Sequence, residues 1–324
     1  MSRFFITGGS GFIGTNLIQY LIDKEHQVIN YDIAPPRNNA HGHLWVQGDI
    51  LDVNVLSSSV EQYDPEYVVH LAARTDLDGK NLADYRTNTD GVLNIVNTVS
   101  QSKIIKRVLF ASSRLVCKIG YLPKTDTDYL PTTFYGESKV VGEKIIREYQ
   151  NNLSCNWVIF RPTSIWGPWF DTPYKEFFFT ILKSLYVHPK GMRIDKSFGY
   201  VGNTVSQIWD LLFYDSQLSH QKTIYMCDYP PIEVKEWADL IAQQNGSKSP
   251  REVSVFILKT LALIGDTLKV LGYKHPPLTS FRLNNLMTNM VYDTQLLQKI
   301  SPSLPFSTEE GVLETLAWIK KYAK

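Results

Sequence analysis

The feature that most constrains this chain is a glycine-rich turn that follows a short apolar strand and opens a helix close to the N-terminus. The turn reads GGSGFIG over residues 8–14, and apolar residues recur at helical spacing over 12–24. Gly8 permits a tight turn, Gly11 lets a phosphate approach the backbone, and Gly14 lets the helix pack closely on the sheet. Because free N–H groups at a helix start face bound phosphates, the pattern predicts a dinucleotide site.

An acidic residue completes this pattern. The strand after the first helix ends in Asp32, whose carboxylate can accept hydrogen bonds from both hydroxyls of an adenosine ribose. The same carboxylate would repel a 2′-phosphate, which favours NAD over NADP, although the nearby Arg37 would weaken that preference. Asp49 ends the next strand and is a candidate for the adenine amino group, or alternatively an ordinary helix cap.

Strands and helices alternate over the first half of the chain, which predicts an α/β fold with a doubly wound parallel sheet of the Rossmann type. The predicted strands are 3–7, 27–32, 44–47, 66–70, 107–111 and 157–160, and the predicted helices between them are 12–24, 53–62, 80–102 and 134–151.

The pattern changes after Arg161. Segment 162–204 is predicted to form long loops with one helix near 174–186, and helices are predicted near 204–214, 233–245, 252–272 and 307–322, with a strand near 223–227. We expect an NAD-binding domain of residues 1–165 plus about 204–228, and a smaller substrate-binding α/β lobe of about 166–203 and 229–324. The apolar stretch within 252–272 is consistent with a packed helix or with membrane-surface association.

Composition excludes several classes of partner. There are 33 basic and 32 acidic residues, so no general attraction to nucleic acid is expected. Three widely spaced cysteines and scattered histidines predict neither a disulfide framework nor a metal site. No apolar run reaches the ~18 residues of a membrane span. These features predict a cytoplasmic protein.

A second constellation is Tyr135-Gly136-Glu137-Ser138-Lys139, which places Tyr135 and Lys139 on one face of a helix start. A free phenol titrates near pH ~10 and is a poor base at neutrality. We expect Lys139, with the positive ring of a nicotinamide, to lower the pKa of Tyr135. Ser113, just past the fifth strand, is a candidate to bind the substrate oxygen. The same spacing also occurs on ordinary helix surfaces.

In this order, the motifs resemble those of the extended short-chain dehydrogenases/reductases, in the NAD-dependent epimerase/dehydratase family. The resemblance spans about residues 3–170, and segments 196–201 and 306–311 match more loosely. The matching pieces are Thr7–Gly14, Asp32, Gly48-Asp49-Ile50, His70-Leu71-Ala72-Ala73, Asn88-Thr89-Asp90-Gly91, Ser112-Ser113, Tyr135–Lys139, and Arg161-Pro162 through Gly167-Pro168.

The resemblance implies a role for each matching residue. Tyr135 would be the acid/base, Lys139 its modulator and Ser113 the substrate-oxygen anchor, with hydride passing between a sugar or alcohol carbon and NAD. It also implies a homodimer formed through helices 80–102 and 134–151. The cofactor-binding residues that it implies are Gly8, Ser10, Gly11, Phe12, Ile13, Gly14, Asp32, Asp49, Ile50, Leu71, Ala72, Ala73, Asn88, Tyr135 and Lys139.

Departures from the family pattern concern the substrate. Ser164 stands where an asparagine is common, and Lys196 stands where an arginine often contacts a substrate phosphate. Arg193, Lys196 and Arg282 are candidate cations for a nucleotide-sugar diphosphate, with solvated surface charge as the alternative for each.

The residues after Ser113 narrow the reaction. Dehydratases of the family carry an Asp-Glu pair there, whereas Arg114 and Leu115 follow here. Neither residue can divide acid and base work, so we expect hydride transfer at one carbon, by epimerisation or 4-keto reduction, and no loss of water.

Two other functions stay open at this point. A 3β-hydroxysteroid-type dehydrogenase is suggested by the apolar helix 252–272 and the segment Pro276-Pro277-Leu278-Thr279. A non-catalytic NAD-binding regulator is a third possibility, and the presence of Ser113, Tyr135 and Lys139 argues against it, because binding alone needs no acid/base.

Overall fold

The alternation of strands and helices builds one large parallel sheet. The computed structural model describes residues 1–171, 174–214, 216–273, 276 and 278–322. The strands are β1 (Arg3–Thr7), β2 (Gln27–Asp32), β3 (Trp45–Gln47), β4 (Tyr67–His70), β5 (Arg107–Ala111), β6 (Asn156–Pro162), β7 (Ser164–Trp166), β8 (Val187–Pro189), β9 (Asp195–Lys196), β10 (Phe198–Tyr200), β11 (Lys222–Met226), β12 (Ile232–Glu233) and β13 (Arg251–Val253).

The helices include long ones that cover this sheet and shorter ones in the C-terminal half. They are α1 (Phe12–Asp23), α2 (Val53–Tyr63), α3 (Arg86–Gln101), α4 (Phe134–Glu148), α5 (Tyr174–Leu182), α6 (Val201–Phe213), α7 (Ser216–Ser219), α8 (Val234–Gln244), α9 (Val255–Val270), α10 (Ser280–Met287), α11 (Gln295–Ile300) and α12 (Thr308–Tyr322).

The large sheet has seven strands in the order β3-β2-β1-β4-β5-β6-β11, and each neighbouring pair is parallel. The chain runs outward from β1 in one direction and from β4 in the other. The strand order therefore reverses between β1 and β4, and in such sheets ligands bind at the carboxyl ends of the strands beside that point. This topology confirms the predicted doubly wound α/β fold.

Both faces of the sheet are buried, which the sequence of β1 illustrates. Phe4 and Ile6 belong to an apolar cluster with Leu17 of α1, whereas Phe5 belongs to a second cluster with Leu56 of α2. Because successive side chains of a strand point to opposite faces, a continuous apolar run serves a strand that is covered on both sides.

The C-terminal half builds smaller sheets from strands that are too short to predict. β10 pairs with β7, β12 with β9, and β13 with β8. Strands β7 to β10 lie inside segment 162–204, which was predicted to form long loops with one helix. That prediction is therefore wrong about the strands. Strands of two or three residues give no measurable alternation in a sequence.

Several predicted helices have different boundaries in the structure: the helix predicted near 174–186 ends at Leu182, and the one predicted near 204–214 begins at Val201. Residues Leu82–Tyr85 form a 3₁₀ turn and α3 begins at Arg86, and α9 begins at Val255 because Arg251–Val253 pairs with β8. The strand predicted near 223–227 is β11, which extends the large sheet. The division into two domains stays a prediction, since one apolar cluster runs from Phe4 to Trp237.

The three cysteines are free and buried. Across the described part of the chain, no helix combines the length and the hydropathy needed to cross a membrane.

Candidate active site

The carboxyl ends of the central strands bring four segments together. The glycine turn follows β1, residues 71–74 follow β4, residues 112–116 follow β5, and α4 begins beside them. Thr7 and His70, the last residues of β1 and β4, are register partners, and Thr7 Oγ1 lies 2.7 Å from His70 Nδ1. The predicted cofactor and catalytic motifs therefore meet at the switch point of the sheet.

The glycine turn is shaped by backbone that lies too close for side chains. Gly8 has φ of +73°, and a Cβ there would lie 2.5 Å from the backbone N of Ala72. A Cβ on Gly14 would lie 2.5 Å from the carbonyl oxygen of Gly8. Gly14 therefore packs on the turn itself, whereas the sequence predicted that it would pack on the sheet. A Cβ on Gly11 would meet only the Gly8 carbonyl oxygen, at 3.1 Å.

The helix that follows begins without a side-chain cap. The N-cap of α1 is Gly11, which has no side chain that could accept from the first N–H groups of the helix. No acidic residue lies in the first turn. The N-terminal N–H groups of α1 are therefore available to an anionic group, and Gly11 leaves room for it.

Asp32 is held at the end of β2 facing the turn. Its Oδ2 accepts from the backbone N–H of Ser10 at 3.0 Å, and its Oδ1 accepts from the backbone N–H of Ala34 at 3.0 Å. The Ser10 hydroxyl donates to the Ala34 carbonyl and accepts from Asn30 Nδ2. Ser10 thus ties the turn to the loop after β2, a different use of its hydroxyl from the predicted pyrophosphate contact.

The adenine candidates lie beyond Asp32. Asp49 Oδ1 accepts from the Leu51 N–H at 2.9 Å, while the N-cap of α2 is Asp52 and not Asp49. The Ile50 side chain is buried against Gly91, and the Ile50 carbonyl accepts from Asn94 Nδ2 at 2.9 Å. The cap alternative for Asp49 is therefore wrong, and its predicted adenine contact stays open.

The segment after β4 is braced from α3. The Leu71 N–H donates to the Thr7 carbonyl, and Ala72 approaches Gly8 as described, with Ala73 following. Asn88 is buried and its amide bonds both the N–H and the carbonyl of Arg74, as well as the hydroxyl of Ser138 on α4. Asn88 therefore positions the segment that would line the cofactor.

Tyr135, Lys139 and Ser113 come together as predicted. Tyr135 and Lys139 lie one turn apart on the buried face of α4, and Ser113, at the end of β5, is close enough to the Tyr135 hydroxyl to affect its pKa. Lys139 Nζ donates to the Ala111 carbonyl at 3.0 Å. α4 starts where it does because the Thr133 hydroxyl accepts from the Gly136 N–H, an N-cap bond.

Burial governs the protonation of this group. Desolvation raises the pKa of Tyr135 above that of a free phenol, and the hydrogen bond with Ser113 and the charge of Arg114 oppose the rise. Burial also lowers the pKa of Lys139 to about 8, with Glu143 opposing it. For the protein alone, the direction for Tyr135 is opposite to the one expected, because Lys139 is turned to a carbonyl and burial outweighs nearby charge.

Farther along α4 than Tyr135 and Lys139 lies a buried ion pair between Glu143 and Arg161, which the sequence analysis did not predict. Glu143 continues the spacing of Tyr135 and Lys139, and its carboxylate accepts from Arg161 Nε at 2.8 Å and from Arg161 Nη2 at 2.7 Å. Both side chains are 1% exposed. The Ser112 hydroxyl donates to the same carboxylate at 2.6 Å. The signal in the sequence was the four-residue step from Lys139 to Glu143.

A cavity of about 280 Å³ lies between the small sheets and α10. Among the described residues, three cations line it, namely Arg114, Lys196 and Arg282, with Ser164 and a single acid, Glu176. The structure thus places three of the four predicted substrate residues around one space. Aromatic side chains complete the wall, including Tyr174, Phe177, Phe198, Trp237 and Tyr292.

The cations of this cavity differ in their partners. Lys196 is buried, Nζ donates to the Asn285 carbonyl at 2.6 Å, and burial together with the charge of Arg114 lowers its pKa to about 8. Arg114 Nη1 is buried and has no hydrogen-bond partner among the described residues. Arg114 was not among the predicted site residues, although it directly follows Ser113 in the sequence.

Arg193 is the predicted substrate residue that the structure sets apart. Its side chain is 69% exposed and pairs with Asp195 at 3.0 Å and with Glu236 at 3.9 Å. The surface alternative therefore describes Arg193 in this structure.

Comparison with known proteins gives a family and a fold. The sequence profile of the NAD dependent epimerase/dehydratase family matches residues 4–215. A 3β-hydroxysteroid dehydrogenase/Δ5→4-isomerase of Mycobacterium tuberculosis is 29% identical over 272 residues, which cover 78% of this chain and 71% of that protein. A UDP-glucose 4-epimerase of Vibrio cholerae is 33% identical over 172 residues, covering 50% of this chain and 52% of that protein.

Solved structures share the whole architecture. The crystal structure of a UDP-glucose 4-epimerase from Thermotoga maritima, determined with UDP-glucose, superposes with a TM-score of 0.76 at 18% sequence identity. The superposition covers 99% of this chain and 100% of that one. At this level of identity the likeness concerns the fold.

Proposed function

This chain belongs to the NAD-dependent epimerase/dehydratase family, as its motifs predicted, and we propose from this that it binds NAD and transfers hydride at one carbon of a nucleotide sugar. The observation that carries the proposal is the proximity of Ser113, Tyr135 and Arg114, the last of which lines a cavity together with Lys196 and Arg282. Arg114 connects the catalytic residues to the cavity. It directly follows Ser113, it lines the cavity, and its charge opposes the rise in the pKa of Tyr135.

NAD fits the glycine turn on two observations. Gly11 leaves open the space that a Cβ would fill, beside the uncapped start of α1, and this suits a pyrophosphate. Asp32 is held toward the turn by two backbone N–H groups, which suits the adenosine ribose. When bound, NAD supplies the acceptor or donor of the hydride.

Asp32 should make the protein prefer NAD to NADP. We expect NAD to bind at least tenfold more tightly, about 1.4 kcal/mol, because the carboxylate would face the 2′-phosphate. Titration calorimetry with both cofactors measures this ratio, and Asp32→Asn should narrow it while Asp23→Asn, on the far end of α1, should not. Equal affinities in the wild type would contradict the assignment.

The chain's own groups divide the proton work. Tyr135 is a protonated phenol in the resting protein, because burial raises its pKa, and it can give a proton to a substrate oxygen that Ser113 also binds. Lys139 lies one turn along α4 with its Nζ on the Ala111 carbonyl. Lys139 would bind the nicotinamide ribose and favour the phenolate in the reverse direction.

The charge of the cavity favours an anionic substrate. The cavity holds one acid, Glu176, against three cations, Arg114, Lys196 and Arg282, among the residues that the structure describes. The negative charges of a nucleoside diphosphate would balance the excess positive charge. We infer a nucleotide sugar on this ground, with epimerisation or 4-keto reduction as the reaction.

A second candidate, a 3β-hydroxysteroid-type dehydrogenase, rests on the aromatic wall of the same cavity and on the similarity to the mycobacterial enzyme. A neutral steroid would leave three cations facing a single carboxylate, that of Glu176, so we place it second.

A thermal-shift screen with NAD distinguishes these substrates. A nucleotide sugar should raise the melting temperature by binding the native state, and Arg114→Gln or Lys196→Gln should reduce that shift. Arg193→Gln is the matched control, because Arg193 pairs on the surface with Asp195. Stabilisation by a 3β-hydroxysteroid and by no nucleotide sugar would favour the second candidate.

The absence of an acidic pair after Ser113 supports a reaction without elimination. We expect no product lighter by one water when the enzyme is incubated with NAD and nucleotide hexoses and the products are analysed by mass spectrometry. Such a product, absent with Tyr135→Phe, would overturn this part of the proposal.

A further inference from the structure

Helix α9 exposes an apolar surface over most of its length. Phe256 is 79% exposed, Leu263 is 63% exposed and Val270 is 88% exposed. We call this surface the outer face of α9. It consists of Phe256, Ile257, Leu261, Leu263, Ile264, Leu268, Val270 and the C-cap Leu271.

The outer face covers about half of the helix circumference. At 3.6 residues per turn, its members span an arc of roughly 180°, interrupted only by Thr260 and Thr267. The opposite side, with Leu258 and Ala262, packs on Leu283 of α10. A contiguous apolar surface of this kind marks a binding surface, since single exposed apolar residues are normal and a continuous half-cylinder is not.

We propose that the outer face of α9 docks this protein on the surface of a phospholipid bilayer, with the helix lying in the plane of the membrane. The proposal concerns binding alone and does not depend on the reaction or substrate proposed above.

The shape of the surface favours a bilayer over a second protein copy. The outer face is a convex helix with apolar side chains on both flanks, which the acyl boundary of a bilayer can surround. A second copy would present the same convex ridge, and two ridges leave much of the arc uncovered.

The charges beside the outer face also suit a membrane. Lys259 lies on the flank of the helix between the apolar arc and the packed side, where it can reach lipid headgroups, whereas Lys269 lies on the side of Leu258 and Ala262. The one acid of that flank, Asp266, accepts from the Ser280 N–H of α10. Because the whole chain has a net charge of +1, the apolar face would drive binding and Lys259 would add a preference for anionic lipid.

The substrate cavity is lined by α10, the helix on which the packed side of α9 rests. Arg282, Asn285 and Leu286 of α10 line the cavity, while Phe281, one residue earlier, is 65% exposed. A protein docked through α9 would therefore hold the cavity close to the membrane surface.

Vesicle sedimentation tests the proposal with the full chain. Wild-type protein should sediment with vesicles of phosphatidylcholine and phosphatidylglycerol, and more weakly with phosphatidylcholine alone. Phe256→Ser with Leu263→Ser should reduce the partition coefficient at least tenfold, since both side chains would otherwise enter the acyl boundary. Lys259→Gln should reduce the preference for the anionic vesicles.

Matched controls separate this surface from general stickiness. Leu77→Ser with Leu185→Ser removes two exposed leucines elsewhere, at 52% and 68% exposure, and should leave sedimentation unchanged. Circular dichroism should show that each variant keeps the wild-type helix content.

Three results would overturn the proposal. They are a wild type that does not sediment, an α9 serine variant that binds as well as the wild type, and a wild-type dimer that the α9 serine variant dissociates while neither protein binds vesicles. The last result would assign the outer face to a second copy.

Discussion

The hydroxyl of Tyr135 is the group on which the proposed chemistry depends. Tyr135→Phe keeps the ring in its buried position and removes only the proton donor. We expect turnover to fall by 10²–10⁴-fold while NAD affinity stays nearly unchanged, because most cofactor contacts lie elsewhere. Steady-state kinetics and cofactor titration measure the two effects.

Tyr85 offers the matched control for this substitution. Its ring centroid lies 6.2 Å from that of Tyr135, and its hydroxyl donates to the Asp76 carbonyl and accepts from the Gly79 N–H. Tyr85→Phe should retain most of the turnover, since that hydroxyl serves a loop. A Tyr135→Phe variant with more than about a tenth of the wild-type rate would show that Tyr135 is not the acid/base.

His70 should make the stability of the protein depend on pH. Burial, and secondarily the charge of Lys139, lowers the pKa of His70 from 6.5 to about 3. The unfolded chain therefore gains a proton below pH 6.5 that the folded chain gains only near pH 3. The free energy of unfolding should fall across this window as the pH falls, at about 1.4 kcal/mol per pH unit.

The variant that isolates this effect is His70→Asn, which cannot titrate and can still bond Thr7. Between pH 6.5 and pH 5, the wild type should lose about 2 kcal/mol more stability than the variant. Urea unfolding at both pH values measures the difference. If both proteins lost the same stability between pH 6.5 and pH 5, His70 would take up its proton at the same pH in the folded protein as in the unfolded chain, which would contradict the prediction.

At the scale of the helix, α4 carries function and stability on one face. Tyr135, Lys139 and Glu143 follow one another at four-residue steps, and Glu143 anchors α4 to Arg161 of β6. Since β6 is paired on both sides, with β5 and β11, this pair fixes α4, and with it Tyr135, against the sheet.

Glu143→Ala would leave the Arg161 guanidinium buried without its counter-charge. We expect a loss of about 3–5 kcal/mol in the free energy of unfolding. Glu148→Ala, an exposed glutamate on the same helix, should change it by less than about 0.5 kcal/mol. Urea unfolding of the two variants checks the contrast, and equal losses would mean that the buried pair does not anchor α4.

At the scale of the whole molecule, the predicted homodimer would use α3 and α4. These helices pack on each other, and Phe134 and Val141 lie on the outer side of α4. In a two-fold interface a single substitution appears twice, so Val141→Arg should convert the dimer to a monomer while Leu185→Arg, on another surface, should not. Light scattering measures the mass, and a monomeric wild type would refute the prediction.

The sequence determined the features that depend on neighbours along the chain. Three such features are each contained in a short segment. They are the strand, glycine turn and helix of residues 3–24, the acid that ends β2, and the spacing of Tyr135 and Lys139. Local sterics and the periods of strand and helix therefore specify them without further information. The confirmed family and the confirmed sheet follow from these segments, because β-α-β units have one handedness and few arrangements.

The tertiary structure decided which distant side chains share a space. Arg114, Lys196 and Arg282 come from three separate segments, and nothing in their local sequence distinguishes them from Arg193, which faces solvent. The direction of the Tyr135 pKa shift was also beyond the sequence, since burial depends on everything packed around the ring. Likewise, periodicity indicated an apolar helix near 252–272, but only packing showed that its outer half is left uncovered, because coverage is a property of the neighbours and not of the helix.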